Sequence, residues 1–208
     1  MPKKEFPLTT LQQYLPEGSF PDVFFYLQTY KVHLTITQHR HTILGDYRHS
    51  IAGKAHRISI NGNLNQYAFL ITLLHELAHL LAYEKFGNRV LAHGKEWKKE
   101  FGNILAKFLS KNMFPDDIKK ALKKNLSNPT ASSCADEQLT RVLHTYDKKP
   151  NGICLLEDLS MHALFKIQGG KIFKKGDKIR KRYKCVEVKT GKLYLFSPVY
   201  EVSIVTVA

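Results

Sequence analysis

Apolar and polar positions change their period several times along this chain, and each change marks a different kind of element. Residues 8–15 read as a short helical start that Pro16 stops, and Pro21 then opens a helix with Val23, Phe24, Leu27 and Tyr30 at helical spacing. From Val32 the period drops to two. Val32, Leu34 and Ile36 alternate with His33, Thr35 and Thr37, the pattern of a half-buried strand. Residues 43–50 and 56–61 read as further strands, punctuated by Gly53 and Gly62. A long helix follows over about 66–85, capped by Asn63 or Asn65 and closed by Gly87-Asn88. Residues 94–109 and 115–126 predict further helices, the second richly basic on its polar side.

Residues 126–133, small and polar with one proline, read as a linker that divides the chain into 1–128 and 129–208. Past it the helical period fades. Residues 163–167, 171–173, 179–188 and 193–207 read as short strands, with Gly169-Gly170 and Thr190-Gly191 where hairpin turns belong. The expected core of this antiparallel module runs through Leu164, Phe165, Ile167, Ile172, Phe173, Ile179, Tyr183, Val186, Val188, Leu193, Leu195 and Phe196. The whole is an α+β chain, helix-rich first and β-rich last.

Composition narrows the picture. With 43% hydrophobic residues in 208, a real core can form. The longest apolar stretch, 67–83, is interrupted by His75, Glu76 and His79, so no membrane span is expected. No apolar run follows the first charged residues, so no secretory signal is expected. Cys134, Cys154 and Cys185 lie far apart and are odd in number, which argues against a disulfide framework and for a reducing, cytoplasmic setting. The formal net charge of +14, spread over both parts, points to a polyanionic partner, with DNA the natural one.

The sharpest chemical feature is His75-Glu76-Leu77-Ala78-His79 on the long helix. Residues four apart differ by ~6 Å of rise and ~40° of rotation, so both imidazoles leave one face and can share a metal. Glu76 sits ~100° round from His75, placed for a metal-bound water rather than the metal. The neighbours Leu73, Leu74, Leu77, Ala78, Leu80 and Leu81 make this helix apolar almost all round, where unpartnered polar groups would be costly. A catalytic zinc takes three protein ligands and an open position. His93, at the start of the next helix after the Gly87-Asn88 break, is the candidate third ligand; Glu96 and Glu100 are its rivals. Tyr83, His56 and Arg57 are candidates for a second group that stabilises the transition state. If residues 56–61 form a sheet edge beside the cleft, an extended substrate can pair with them. Trp97 reads as core, Cys185 as a buried strand residue, and His33, His39, His41 and His49 as exposed positions.

The stretch His56-Arg57-Ile58-Ser59-Ile60-Asn61, then residues 70–79, then His93-Gly94-Lys95-Glu96-Trp97, resembles the SprT-like family of zinc metallopeptidases over roughly residues 5–112. Spartan-type proteases, which cleave proteins crosslinked to DNA, belong to the same superfamily. The resemblance implies one zinc held by His75, His79 and His93, with Glu76 as the catalytic glutamate. It implies a zincin-like domain in which a small sheet packs on the two motif helices. Many members carry a C-terminal zinc ribbon with four cysteines. This chain has three scattered cysteines and no C-x-x-C, so a second zinc is not expected, although residues 182–185 and 191–196 resemble the ribbon's later strands.

Lys171 to Lys184 is dense in Lys and Arg with Phe173 and Tyr183 interleaved, which suits phosphate contacts with some base stacking. Lys178, Arg180, Lys181 and Arg182 are the expected nucleic-acid contacts, seconded by Lys119, Lys120, Lys123 and Lys124. Two functions follow as expectations. The chain is either a zinc endopeptidase acting on DNA-associated proteins, or a non-catalytic, zinc-stabilised nucleic-acid-binding protein. Glu76 favours the first, because a purely structural site needs no general base.

Overall fold

The computed structural model describes residues 8–40, 43–50, 54–125, 136–148 and 152–205. The expected linker at 126–133, His41 and Cys134 lie outside the described residues. The chain divides into two compact units, Met1–Asp147 and Lys148–Ala208.

In the first unit a 3-10 turn, Leu8–Tyr14, leads into helix α1, Phe20–Thr29. Strands β1 (Val32–Thr37), β2 (Gly45–Arg48) and β3 (His56–Asn61) follow. Their spatial order is β1-β3-β2, with β3 parallel to β1 and antiparallel to β2. The strand expected at a sheet edge is therefore the central one. Its residues explain why: His56, Ile58, Ile60 and Asn61 are all buried, a burden that suits a strand with neighbours on both sides.

Helix α2 (Gln66–Phe86) crosses behind this sheet. Leu70, Leu73, Leu74, Leu77, Ala78 and Leu80 are fully buried, as an all-round apolar helix requires. Asn65 is its cap, with a side-chain oxygen that accepts the Ala68 N–H at 2.9 Å. Gly87, at φ 66°, ends it in a conformation that favours glycine. The chain turns back through residues 88–94 into α3 (Lys95–Leu109), whose Trp97, Phe101, Ile104, Leu105 and Phe108 pack inward at helical spacing. Helix α4 spans Asp116–Asn125.

A further helix, α5 (Glu137–His144), stands past the expected linker, where sequence reading assigned no element. It has barely two turns, and Leu139 and Leu143 complete the core of the first unit. Asn65 Nδ2 donates to Leu143 O at 3.0 Å and to Asp147 Oδ1 at 2.6 Å, so the division falls after Asp147 rather than at 128.

The second unit is an antiparallel sheet of seven strands: β4 (Ile153–Leu155), β5 (Leu164–Lys166), β6 (Ile172–Lys174), β7 (Lys178–Ile179), β8 (Arg182–Glu187), β9 (Leu193–Phe196) and β10 (Glu201–Ile204). The order is β4-β10-β5-β6-β8-β7, with β9 paired to β8. Gly169, Gly170 and Gly191 have positive φ at the expected turns. The strand expected over 179–188 is broken at Arg180, which takes φ 54° without being glycine. The core is smaller than expected, with Phe165, Phe173, Cys185, Phe196 and Val202 inside. Ile172, Ile179, Val186, Val188, Leu193 and Leu195 are exposed instead, because strand alternation turns them to the opposite face. Among the described residues no helix is long and apolar enough to cross a membrane.

Candidate metal centre

Helix α2 carries His75, Glu76 and His79 to a cleft of about 710 Å³ walled by β2 on one side and residues 87–93 on the other. His93 arrives from that second wall, where the turn after Gly87 brings the chain back over the helix. The His75 and His79 Nε2 atoms are 3.2 Å apart, and so are those of His75 and His93. Two nitrogens bound to one tetrahedral ion at ~2.0–2.1 Å would stand ~3.3 Å apart, so the donor set fits a single metal ion. Glu100 is not part of it. Its carboxylate, buried on α3, takes the Lys85 Nζ at 2.7 Å and ties α2 to α3, while Glu96 lies beside Lys95.

Trp97 is core, as expected, but it is also the floor of this group. Its ring lies 4.7 Å from that of His75, 4.8 Å from His93 and 5.4 Å from His79, and its Nε1–H donates to His75 O at 3.4 Å. Burial, then the neighbouring His79 and His93, push the His75 pKa down to about 3. Burial and His93 push His79 down to about 4, and burial lowers His93. All three are neutral at neutral pH, with lone pairs free for a cation.

Glu76 is 6% exposed, and burial raises its pKa to about 8, with Asp46 adding to the shift. Arg40 and a hydrogen bond from the Tyr47 backbone N–H act the other way. Arg40 is itself fixed on the sheet, its Nε donating to Asn61 Oδ1 at 2.8 Å and its Nη1 to Ser59 Oγ at 2.9 Å. Gly45 faces the carboxylate so closely that a Cβ there would come 2.6 Å from Glu76 Oε1 and 2.8 Å from Thr72 Cγ2. Only glycine leaves that room.

The cleft also holds residues that sequence reading passed over. Tyr47 lies parallel to the His79 ring, and its Oη shares a 2.9 Å hydrogen bond with His56 Nδ1. His56 Nε2 in turn meets Glu84 Oε1 at 3.3 Å. His56 is thus buried beneath Tyr47 rather than facing solvent, whereas Arg57 is exposed. Tyr83 lines the cleft and stacks on His49, so His49 is a wall residue as well. A glycine inside a strand pattern signals close backbone approach, and that signal at Gly45 points to this wall.

In the second unit, Lys178, Arg180, Lys181 and Arg182 are all exposed on the β7–β8 hairpin. The aromatic residues expected among them are not stacking surfaces. Phe173 is buried, and Tyr183 lies under Lys175 and Lys178. Lys175 is buried too, its Nζ donating to the carbonyls of Glu157 and Leu159.

Residues 16–119 match the SprT-like family. Protein SprT of Pectobacterium atrosepticum is 52% identical over 42 residues, which is 20% of this chain and 24% of that protein. Protein SprT of Pseudomonas putida is 54% identical over 35 residues, 16% of this chain and 21% of that protein. The chain thus matches about a quarter or less of the length of these relatives. No solved structure matches it. Half of the chain, with His75, His79 and His93 inside it, falls in the stretch that defines one family, and the chain belongs to the SprT-like family.

Proposed function

We propose that this chain is a zinc-dependent endopeptidase acting on DNA-associated or DNA-crosslinked proteins. The observation that supports it most is the close approach of the His75, His79 and His93 Nε2 atoms with the Glu76 carboxyl alongside, in one open cleft. Zinc held by three neutral imidazoles keeps its full charge and supplies Lewis acidity to a water and to a carbonyl. Glu76 accepts the water's proton and hands it on to the departing amine. Burial raises the proton affinity of the Glu76 carboxyl in the metal-free cleft, and a cation on the histidines would lower it again towards the range in which it can both take and return a proton. Gly45 and the Tyr47 N–H keep the carboxylate in place.

Glu84 faces His56 Nε2 and leaves Nδ1 to accept the Tyr47 O–H, so the Tyr47 hydroxyl would serve the negative charge on the scissile carbonyl only by turning its proton from His56 to that oxygen. Tyr47 joins Tyr83, His56 and Arg57 as a candidate for that role, and Tyr83 also lines the cleft. Among the described residues β2 has one sheet neighbour, so an extended substrate could pair with its outer edge. Backbone pairing of that kind reads side chains weakly, which gives broad substrate choice. The exposed cations of the β7–β8 hairpin support a DNA partner.

The test is metal content together with protein cleavage, with and without DNA. The wild-type chain binds one zinc and cleaves, His93→Ala binds zinc weakly, and Glu76→Gln keeps the metal but loses most cleavage. A metal-loaded Glu76→Gln chain that cleaves at the wild-type rate refutes the mechanism. A metal-binding wild-type chain that cleaves nothing favours the non-catalytic reading.

A further inference from the structure

The β8–β9 hairpin of the second unit, with Ile172 of β6 beside it, carries aliphatic side chains on its outer face as well as in the core. Phe173, Cys185 and Phe196 fill the core, yet Ile172, Val186, Val188, Leu193 and Leu195 point the other way and are 36% to 57% exposed. Strands apolar on both faces belong to sheets that are covered on both faces. An exposed aliphatic patch of this kind marks an interaction site.

The register gives the patch a shape. Lys166 pairs with Ile172, whose carbonyl accepts the Val188 N–H. One step along, Lys174 pairs with Val186, which pairs with Leu193. One step further, Lys184 pairs with Leu195. At each step the cation moves one strand over, from β5 to β6 to β8. The lysines therefore form a diagonal across the strands, and the aliphatic residues form a second diagonal beside it. Arg182 continues the line of cations on the same face of β8. That face of β5, β6, β8 and β9 carries no carboxylate. Glu187 is buried on the inner side, bonded to Thr190 and Tyr194.

We propose that this face docks an amphipathic helix of a partner protein, its apolar stripe on Val186, Leu193 and Leu195 and an acidic flank along Lys166, Lys174 and Lys184. A helix with an apolar stripe and charge on one flank is a straight surface in two lanes, which is what the paired diagonals complement. An extended strand added to the edge of β9 would have β9 between itself and the nearest lysine of the diagonal, Lys184 on β8. A second copy of the chain would bring like cations together. Nucleic acid would find no ring to stack on, since Phe173, Tyr183, Tyr194 and Phe196 belong to the opposite, core side. The proposal stands independently of the peptidase reading.

The test titrates the full chain, by fluorescence anisotropy, with a short synthetic helical peptide carrying leucines on one stripe and glutamates on one flank. A twin peptide has lysines in place of the glutamates. The acidic peptide binds at least about tenfold more tightly than its twin and gains helical circular dichroism on binding. Leu193→Ser with Leu195→Ser weakens it by about tenfold or more. Lys174→Glu with Lys184→Glu reverses the preference between the peptides. Each substituted side chain is exposed, and the melting temperature of each variant checks that the fold is kept. Equal binding of the two peptides, or a preference that survives the charge reversal, overturns the proposal. An oligonucleotide whose binding needs Leu193 and Leu195, or a dimer that Leu195→Ser dissolves, also overturns it and gives the face to nucleic acid or to a second copy.

Discussion

Glu76 is held in its place at the expense of stability, and the titration of the cleft makes that measurable. Its carboxyl titrates at 4.5 when unperturbed and at about 8 in the cleft, so between these values the folded chain holds a proton that the unfolded chain has lost. Stability contributed by this group therefore falls as pH rises through that window. Glu76→Gln is expected to raise the melting temperature of the metal-free chain above pH 8, by up to a few kcal/mol in stability, and to change little below pH 4.5. Identical melting of the two proteins above pH 8 would show that Glu76 ionises in the fold without penalty.

His75 and His79 act in the opposite direction. Their pKa values fall from 6.5 to about 3 and 4, so below 6.5 the unfolded chain takes up protons that the folded chain refuses. Stability is lost as pH falls from 6.5, and an ion bound to neutral imidazoles steepens the loss. Gly45 makes a sterically sharper case. Gly45→Ala must displace Glu76 or Thr72, and a shift of ~1 Å at a general base costs about 10²-fold in rate. Metal content should stay at the wild-type level while cleavage falls. Full activity in that variant would mean that the carboxylate does not need its present position.

At the scale of elements, α2 could be read almost completely from its residues. Its caps are local: Asn65 one position before the first helical residue, and Gly87 just past the last. The spacing of His75 and His79 is fixed by the same helix. Asn65 also does something that no local pattern announces, donating to Leu143 and Asp147 some eighty residues away. Asn65→Ala should therefore cost more than the usual ~1 kcal/mol of a lost N-cap, towards the upper end of about 2 kcal/mol. The shift of the urea midpoint reads it, and a loss below about 0.5 kcal/mol would mean that the link to α5 carries no weight.

The elements that could not be read failed for physical reasons. α5 is too short for its apolar spacing to stand out, and its stability comes from packing Leu139 and Leu143 on a core assembled elsewhere. The turn at Arg180 uses a left-handed residue that is not glycine, so its sequence gives no warning. β2 conceals its role because what matters about Gly45 is a side chain that lies thirty-one positions further on, beyond the reach of any local periodicity.

At the scale of the molecule, the charge of +14 was visible from composition alone, but its disposition was not. Phe173 and Tyr183 face inward and Lys175 is buried, so the exposed hairpin is an electrostatic surface without rings to stack on bases. Replacing Lys178, Arg180, Lys181 and Arg182 with alanine should lower DNA affinity and flatten its dependence on log salt by about three to four units, while metal binding stays unchanged. An unaltered salt slope would return this hairpin to ordinary solvated surface.

The ties from Asn65 to Leu143 and Asp147 also determine where the polypeptide tolerates being cut. A cut after residue 128 would separate α5 from the helix it braces. Leu139 and Leu143 would leave the core, and the segment that carries His75 and His79 would lose support at its first turn. A cut after Asp147 leaves Asn65 joined to Leu143 and Asp147 and keeps the histidine trio within one unit. In limited digestion the resistant fragment should thus end near residue 147, and its metal affinity should match that of the whole chain.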